Sequence, residues 1–438
     1  MSKILRVIIL LTLVITATCI SDLGRLNLIP LAYAEELTLT FSEAVGIGLR
    51  DNRDILLQAK EVEKAKLKIS EAQGAAFPSL DLTSTWFYTA GLYAKDLSQT
   101  NSQVTLKQYL YKGGKVINNI KYSNYQLEVE QSLLDKTKLE AIFNFAQAYY
   151  TLSLSSFFVE LNKGIWENSR QHLDYLNARY QNGEVSESEI LQAQASLASV
   201  QQAYEDSVRQ KEAAQALLNN LLALDKDVVV IPVTEFQFNP KEVAFDQGFL
   251  KAMSTRPEIK QYEAQLKSDK SSIELARAAG RPSVYASWDY YSRSHSVTTT
   301  VNTRNWSDYN VLGVTLAWPV FDGWQTKAKV EQAIVDLKKT ELGKVKLIQD
   351  IALEVKNAYL SLRNAIDQIN ASQADLTYYR QNSITAADRY NKGQVSLLDK
   401  NDAQLKYEIS VFNHKQAVYD YLIAKYNFDK STGGFNEI

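Results

Sequence analysis

The segment RYQNGEVS at Arg179–Ser186 recurs as RYNKGQVS at Arg389–Ser396, 210 positions later. An earlier pair of matching segments, Asp54–Ser79 and Glu258–Ser283, is separated by 204 positions. Two matches in the same order indicate that the chain contains two copies of one structural unit. The six additional residues of the second copy fall within 292–307, which we predict to be a loop that differs between the copies.

Very long helices precede both copies of this segment. The stretch from Lys115 to Tyr180 has no proline and one glycine, and the corresponding stretch Gln325–Tyr390 has the same character. An α-helix of this length spans about 100 Å. We therefore predict that Arg179–Ser186 and Arg389–Ser396 are turns, each of which reverses a long helix into an antiparallel partner.

The returning helices carry start signals and an apolar seam. Ser186 with Glu189, and Ser396 with Asp399, have the spacing of capping boxes. Small and apolar residues then recur at a and d spacing, which predicts close packing against the preceding long helix. The seam consists of Ile190, Ala193, Leu197, Val200, Tyr204, Ala214, Leu218 and Leu221, and in the second copy of Ala403, Tyr407, Ala417, Tyr421, Ala424 and Phe428.

Two further segments are predicted to be helical. Thr40 and Glu43 form a capping box that opens the first helix, which we expect to continue to about Ala76. The uncharged stretch Ala141–Val159 is long enough to cross a membrane, but it contains several polar side chains and its counterpart is charged. We interpret it as part of a packed helix.

Between the first and second helix of each copy the apolar period changes to two, which is typical of β-strands. The predicted β-hairpins cover residues 80–112 and 284–321. Strands of about 10 residues with aromatic girdles suit an outer-membrane barrel, and two soluble hairpins packed through their apolar faces are the alternative. The aromatic residues are Trp86, Tyr88, Tyr109, Tyr111, Trp306, Tyr309, Trp318 and Trp324.

The N-terminal segment has the pattern of an export signal. Lys3 and Arg6 precede an apolar run, and Ala32-Tyr33-Ala34 supplies the small residues of a cleavage site. We predict that residues 1–34 are removed, together with Cys19, the only cysteine. Lipid attachment at Cys19 is the alternative.

Composition excludes several classes of function. The formal net charge is −2 over 438 residues and no basic patch points to nucleic acid. The three histidines are far apart, so we expect neither a metal site nor another cofactor. No phosphate-binding loop or nucleophile elbow is present, which argues against an enzyme. Four strands are too few for a membrane barrel, so a membrane-spanning chain would have to oligomerise.

These features together resemble the TolC-like outer-membrane channels of efflux pumps and type I secretion systems. The resemblance covers essentially all of the mature chain and rests on the order of several short motifs, which are LTFSEA at 39–44, AAFPSL at 75–80, PVFDGW at 319–324 and the paired tips. It implies a mainly α-helical fold with a transmembrane β-barrel part. Three chains would form a 12-stranded barrel in the outer membrane and an α-helical barrel in the periplasm.

The resemblance also implies a division of the chain. Each repeat contributes a helix, a β-hairpin and a long helical hairpin, and a mixed equatorial region joins the repeats. The predicted segments are a first repeat at 35–223 with its helical hairpin at 115–223, an equatorial linker at 224–243, a second repeat at 244–430 with its helical hairpin at 325–430, and a C-terminal tail at 431–438.

The resemblance also implies a periplasmic gate: in several members of the family the entrance is lined by acidic residues just after the second tip, where this chain has Asp399 and Asp402. In a trimer the two would form rings of carboxylates that favour cations. Asp399 has an alternative role as the capping residue of its helix. Tyr390 matches a tyrosine of the family's closed state, but Val395 stands where an arginine is expected, which puts that latch in doubt.

The tips would also dock a periplasmic adaptor protein that connects the channel to an inner-membrane pump of the RND or ABC type. The tip residues in question are Tyr180, Gly183, Val185, Ser186, Gly393, Val395 and Ser396. A plain turn accounts equally well for the two glycines. The expected partners are therefore two further copies of the chain, an adaptor, a pump and outer-membrane lipid. The alternative from another class is a periplasmic coiled-coil adaptor or structural protein without a pore.

Overall fold

The computed structural model describes residues 36–92, 95–233, 244–297 and 305–435. Its strands are β1 Glu36–Leu39, β2 Ser79–Leu92, β3 Lys95–Lys112, β4 Val229–Pro232, β5 Ser283–Val297 and β6 Asn305–Ala317. Its helices are α1 Phe41–Asp51, α2 Arg53–Gly74, α3 Lys115–Gln181, α4 Glu187–Leu222, α5 Phe245–Thr255, α6 Pro257–Ala278, α7 Gln325–Asn391 and α8 Leu397–Ser431.

The first helix of each repeat is interrupted, which corrects the prediction of one helix from Thr40 to about Ala76. Thr40 does form the capping box that opens α1. α1 ends before Asn52, whose side chain accepts hydrogen bonds from the amides that begin α2. In the second repeat Pro257 begins α6 and keeps Arg256 in an extended conformation, because a residue before proline disfavours the helical region.

The four long strands form one antiparallel sheet in the order β2-β3-β5-β6. The two predicted hairpins are thus joined through β3 and β5, at the centre of the sheet. β6 ends at Ala317, before Pro319, which cannot donate a hydrogen bond to a neighbouring strand. Within the described residues, no strand of this chain pairs with the outer edges of β2 and β6.

The two faces of this sheet differ in polarity. On one face Leu80, Leu106, Trp288 and Leu312 lie side by side across the strands, and Leu312 is 82% exposed. The next position on each strand points to the opposite face, where the Asp289 carboxylate accepts hydrogen bonds from the side chains of Thr105 and Gln103. One apolar and one polar face are what a barrel with a lipid-facing exterior and an aqueous interior requires.

The helices follow the order of the strands. Next to the sheet, α3 packs between α2 and α6, and α6 packs against α7. Towards the tips, α3 packs between α4 and α8, and α8 packs against α7. The predicted seams lie in these contacts, since Ile190, Leu218 and Ala403 are buried.

The uncharged stretch Ala141–Val159 lies within α3 and packs as predicted. Phe145, Tyr149 and Leu152 have no exposed surface. They form a core with α1, α4 and the parallel pair of β1 and β4. Among the helices in the described part of the chain, none combines the length and the apolarity needed to cross a membrane.

Candidate functional site at the helix tips

The first tip joins α3 to α4 through a tight turn. Gly183 adopts a left-handed conformation with φ 75°, which favours glycine because the residue lacks Cβ. The amide of Glu184 donates a hydrogen bond of 3.0 Å to the carbonyl of Arg179 and closes the end of α3. Ser186 then starts α4 through a capping box with Glu189, as predicted.

The second tip joins α7 to α8 with the same geometry. Gly393 has φ 68°, and the amide of Gln394 donates over 2.9 Å to the carbonyl of Arg389. Ser396 and Asp399 form the predicted capping box. The duplication is therefore preserved down to the backbone of the turns, although the side chains differ.

The two candidate gate carboxylates have different environments. Asp399 accepts hydrogen bonds from the Ser396 hydroxyl over 2.7 Å and from the Ser396 amide over 3.0 Å, and these bonds hold the pKa of Asp399 below its usual value. Asp402 is also exposed, and within the described residues it makes no hydrogen bond or ion pair. Asp399 thus caps its helix, whereas the exposed carboxylate of Asp402 has no such structural role among the described residues.

Tyr390 lies on the same tip and is half-buried. The ammonium group of Lys400 lies 5.1 Å from the centre of its ring, within the range of a cation–π contact. The sequence places Lys400 next to Asp399, but a contact across the turn depends on the turn geometry and was not predicted. This lysine places a positive charge beside Tyr390 at the second tip.

The candidate docking residues form an accessible surface. Five of these seven residues are exposed, and the two valines are half-buried. The seven are Tyr180, Gly183, Val185, Ser186, Gly393, Val395 and Ser396. A salt bridge of 2.8 Å from Arg179 to Glu184 crosses the first tip. The sequence does not predict this ion pair, because residues five positions apart do not face each other on a helix.

The remaining predicted features lie outside the tips. The part of the chain that the structure describes has no group of three or more His, Cys, Asp or Glu side chains placed to hold a metal ion. The predicted export signal with Cys19, the second half of the equatorial linker and the centre of the longer loop around Thr298 lie outside the described residues.

Comparison with known proteins shows where this architecture recurs. A profile of the outer membrane efflux protein family matches residues 47–224 and 250–434. The chain is 22% identical over 395 residues to the probable outer membrane lipoprotein SilC of Salmonella typhimurium, covering 86% of this chain and 81% of the relative. It is 22% identical over 421 residues to the alkaline protease secretion protein AprF of Pseudomonas aeruginosa, covering 89% and 85%.

Solved structures share the fold. The Campylobacter jejuni CmeC outer membrane channel superimposes with a TM-score of 0.73 at 18% identity, over 90% of this chain and 85% of that one. The family match spans both repeats, so the chain is an outer-membrane exit duct for efflux or secretion and not an enzyme. The alternative of a periplasmic protein without a pore is wrong. On this match the chain belongs to the outer membrane efflux protein family.

Proposed function

We propose that three copies of this chain assemble into one continuous duct. The observation that carries the proposal is that the strands and the helices next to them are arranged in the same order. The sheet runs β2-β3-β5-β6 and the helices run α2-α3-α6-α7, so β2 and α2 lie at one edge of the chain and β6 and α7 at the other. Joining β6 of each copy to β2 of the next closes a barrel of 12 strands and satisfies the open edges. The same step brings α7 against α2 of the neighbouring copy.

Exposed apolar residues support this closure. Leu57 and Leu67 on α2, and Leu342 and Leu353 on α7, are exposed in the isolated chain. Large side chains of this kind on the two outermost helices are best accounted for by a contact that buries them. The neighbour they fit is a second copy, because the contact follows from the same rotation that joins β6 to β2.

The assembly predicts a definite mass. Purified in detergent from the outer-membrane fraction, the protein should show by light scattering three times the mass of its protomer, and its band should shift on heating in electrophoresis. A protomer mass in detergent, or a soluble periplasmic protein, would contradict the trimer.

We further propose that the duct is gated at the second tip and docks its adaptor at both tips. Asp399 and Asp402 would form two rings of three carboxylates, with Tyr390 beside them, at the end of the duct furthest from the sheet. The docking surface would be the accessible tip residues defined above, and an inner-membrane pump of the RND or ABC type would act through the adaptor. The matched family is described by efflux and AprF by protease secretion, so the proposed duct serves either kind of cargo.

The different environments of the two aspartates make the gate testable. We expect Asp402→Asn to weaken block of the channel by a polyvalent cation such as hexaamminecobalt(III) roughly tenfold, the change that corresponds to about 1.4 kcal/mol of lost attraction. Asp399→Asn should weaken block and also loosen the start of α8, since it removes a capping carboxylate. The measurement is conductance in planar bilayers against blocker concentration.

The first tip provides the control. Glu189 occupies the place that Asp399 has in the second tip and caps its helix in the same way. Glu189→Ala should disturb capping at the first tip while leaving the block constant close to that of the wild type. Unchanged block in the double variant Asp399→Ala with Asp402→Ala would refute the gate.

A further inference from the structure

A basic cavity lies where the sheet meets the helices. Its volume is about 410 Å³, and it lies at the junction of β3 with α3, close to the ends of α6 and β6. Three cationic side chains line it, together with small and apolar residues. The lining consists of Lys112, Lys115, Ala278, Ala279, Arg281, Ser283, Ala317, Trp318 and Pro319.

The positive charge of this cavity is poorly compensated. Arg281 pairs with Glu274 at 3.0 Å and donates to the carbonyl of Gly113 over 3.3 Å. The ammonium group of Lys112 lies over the ring of Tyr109 in the same strand. Within the described residues, neither Lys112 nor Lys115 has a carboxylate at ion-pair distance. Two ammonium groups at one cavity without a counter-charge provide a site that attracts anions.

The second repeat shows what the first one lacks. α7 begins after Asp322, whose carboxylate accepts a hydrogen bond of 2.9 Å from the amide of Thr326 in the first turn. α3 begins with the same left-handed backbone, but it has no side-chain cap and Lys112 occupies the position of Asp322. The first turn of α3 therefore lacks the internal anion that its copy has, and Lys115 of this turn lines the cavity.

We propose that this cavity binds an anionic oxygen group, a phosphate or a carboxylate, which takes the place that the Asp322 carboxylate has in the second repeat. Lys112 and Lys115 would neutralise the charge of the ligand. The uncapped amides at the start of α3 would donate hydrogen bonds to its oxygen atoms. All lining residues of the cavity belong to one protomer. Its apolar side, formed by Trp318 and Pro319, suits either a lipid headgroup or a dissolved anion.

Binding to the full-length protein separates these two sources. Equilibrium dialysis of detergent-purified protein against radiolabelled inorganic phosphate measures a dissolved anion. To test for an anionic headgroup, the protein is extracted from nanodiscs and washed, and the lipid phosphorus that it retains is measured. Retention from phosphatidylglycerol nanodiscs is compared with retention from phosphatidylcholine nanodiscs. Phosphate bound in the first assay supports a dissolved anion, preferential retention in the second supports a lipid, and binding in neither overturns the proposal.

Lys112→Asp is the decisive variant, because it gives the first repeat the internal anion of the second. We expect it to bind the anion at least about tenfold more weakly, a loss of about 1.4 kcal/mol or more, with an unchanged or higher thermal midpoint. Lys121→Asp makes the same charge change on α3 outside the cavity lining and should bind like the wild type.

A second variant guards against misfolding at the β3–α3 turn. Lys115→Gln leaves both Lys112 and the bond from Arg281 to Gly113 in place, and it should also lose binding about tenfold, as expected for a lost charged hydrogen bond. Wild-type affinity in Lys112→Asp, or an equal loss in Lys121→Asp, would overturn the site.

Discussion

Gly48→Ala is expected to destabilise the protein by about 1–3 kcal/mol, the usual cost of overpacking a core. A Cβ at this position would lie 2.5 Å from Cε2 and 2.6 Å from Cζ of Phe145. The ring has no exposed surface, so it has no solvent side into which it can move. Clash therefore outweighs the gain of about 0.5–1 kcal/mol that alanine normally brings to a helix.

Gly46 provides a control in the same helix. A Cβ at Gly46 meets nothing within 4 Å, so Gly46→Ala should stabilise α1 by about 0.5–1 kcal/mol. The thermal midpoint, followed by far-UV circular dichroism in detergent, should shift in opposite directions for the two variants. Equal shifts would show that helix propensity, rather than contact with Phe145, determines the effect.

The second repeat indicates how to rescue the variant. There Ala252 stands for Gly48 and Val355 stands for Phe145, and both are fully buried. Gly48→Ala with Phe145→Val should therefore be less destabilised than the sum of the single changes. A strictly additive double variant would contradict direct packing of these two positions.

The same exchange of sizes occurs in reverse in the second repeat. A Cβ at Gly248 would lie 2.7 Å from the ring of Phe428, whereas the first repeat has Ala44 and Leu218 at these positions. The large ring thus projects from α3 in the first repeat, as Phe145, and from α8 in the second repeat, as Phe428. Each repeat thus packs one large ring against a glycine of its first helix, at positions that lie one helical turn apart.

Much of the fold could be predicted from local signals. The capping boxes at Thr40, Ser186 and Ser396 specify helix starts through hydrogen bonds between residues three positions apart, and the structure contains all three. The break at Asn52 was missed because asparagine alone is a weak signal in a helical pattern. Pro257 in the second repeat was the available sign, since proline favours the first position of a helix.

The candidate site was predictable only in part. The Asp399 capping bond follows from sequence spacing, and its contrast with Asp402 follows from the same spacing. The contact of Lys400 with Tyr390 depends on side-chain conformations across a turn. The basic cavity needs residues from β3, α6 and β6 to meet, and no local pattern encodes that proximity.

Arg256→Met is expected to destabilise the protein by about 3–5 kcal/mol, the usual cost of leaving one member of a buried ion pair without its partner. The Arg256 side chain is 8% exposed and pairs with Glu258 at 3.0 Å and with Glu354 at 2.7 Å. It also donates to the carbonyl of Ser431 over 3.3 Å and so ties α6 to the end of α8.

The first repeat makes the corresponding tie without charge. The side-chain amide of Asn52 donates over 2.9 Å to the carbonyl of Leu221, the counterpart of Ser431. Asn52→Ala should cost less than Arg256→Met, because it leaves no buried charge unpaired. The double variant Arg256→Met with Glu258→Gln should recover part of the loss. No recovery would mean that Arg256 acts mainly by packing.

The pH dependence distinguishes charge from packing at Arg256. Burial acts to raise the pKa of Glu258, but the hydrogen bonds and charge of Arg256 outweigh it and hold the pKa below its usual value. The wild type therefore keeps this stabilisation above the unfolded pKa of about 4.3 and loses it as the pH falls through the lower folded value.

In Arg256→Met burial, the largest influence on Glu258, is opposed only by a backbone hydrogen bond and by the charge of Lys136, so the pKa of that carboxyl should rise above the unfolded value. The penalty of the variant is then largest at neutral pH and shrinks as the pH falls and the carboxyl takes up a proton. Thermal midpoints of the wild type and the variant should therefore converge on acidification, because the protonated group no longer places an unpaired charge in the core. A difference that stays constant with pH would show that the lost stability came from the packing of the arginine stem.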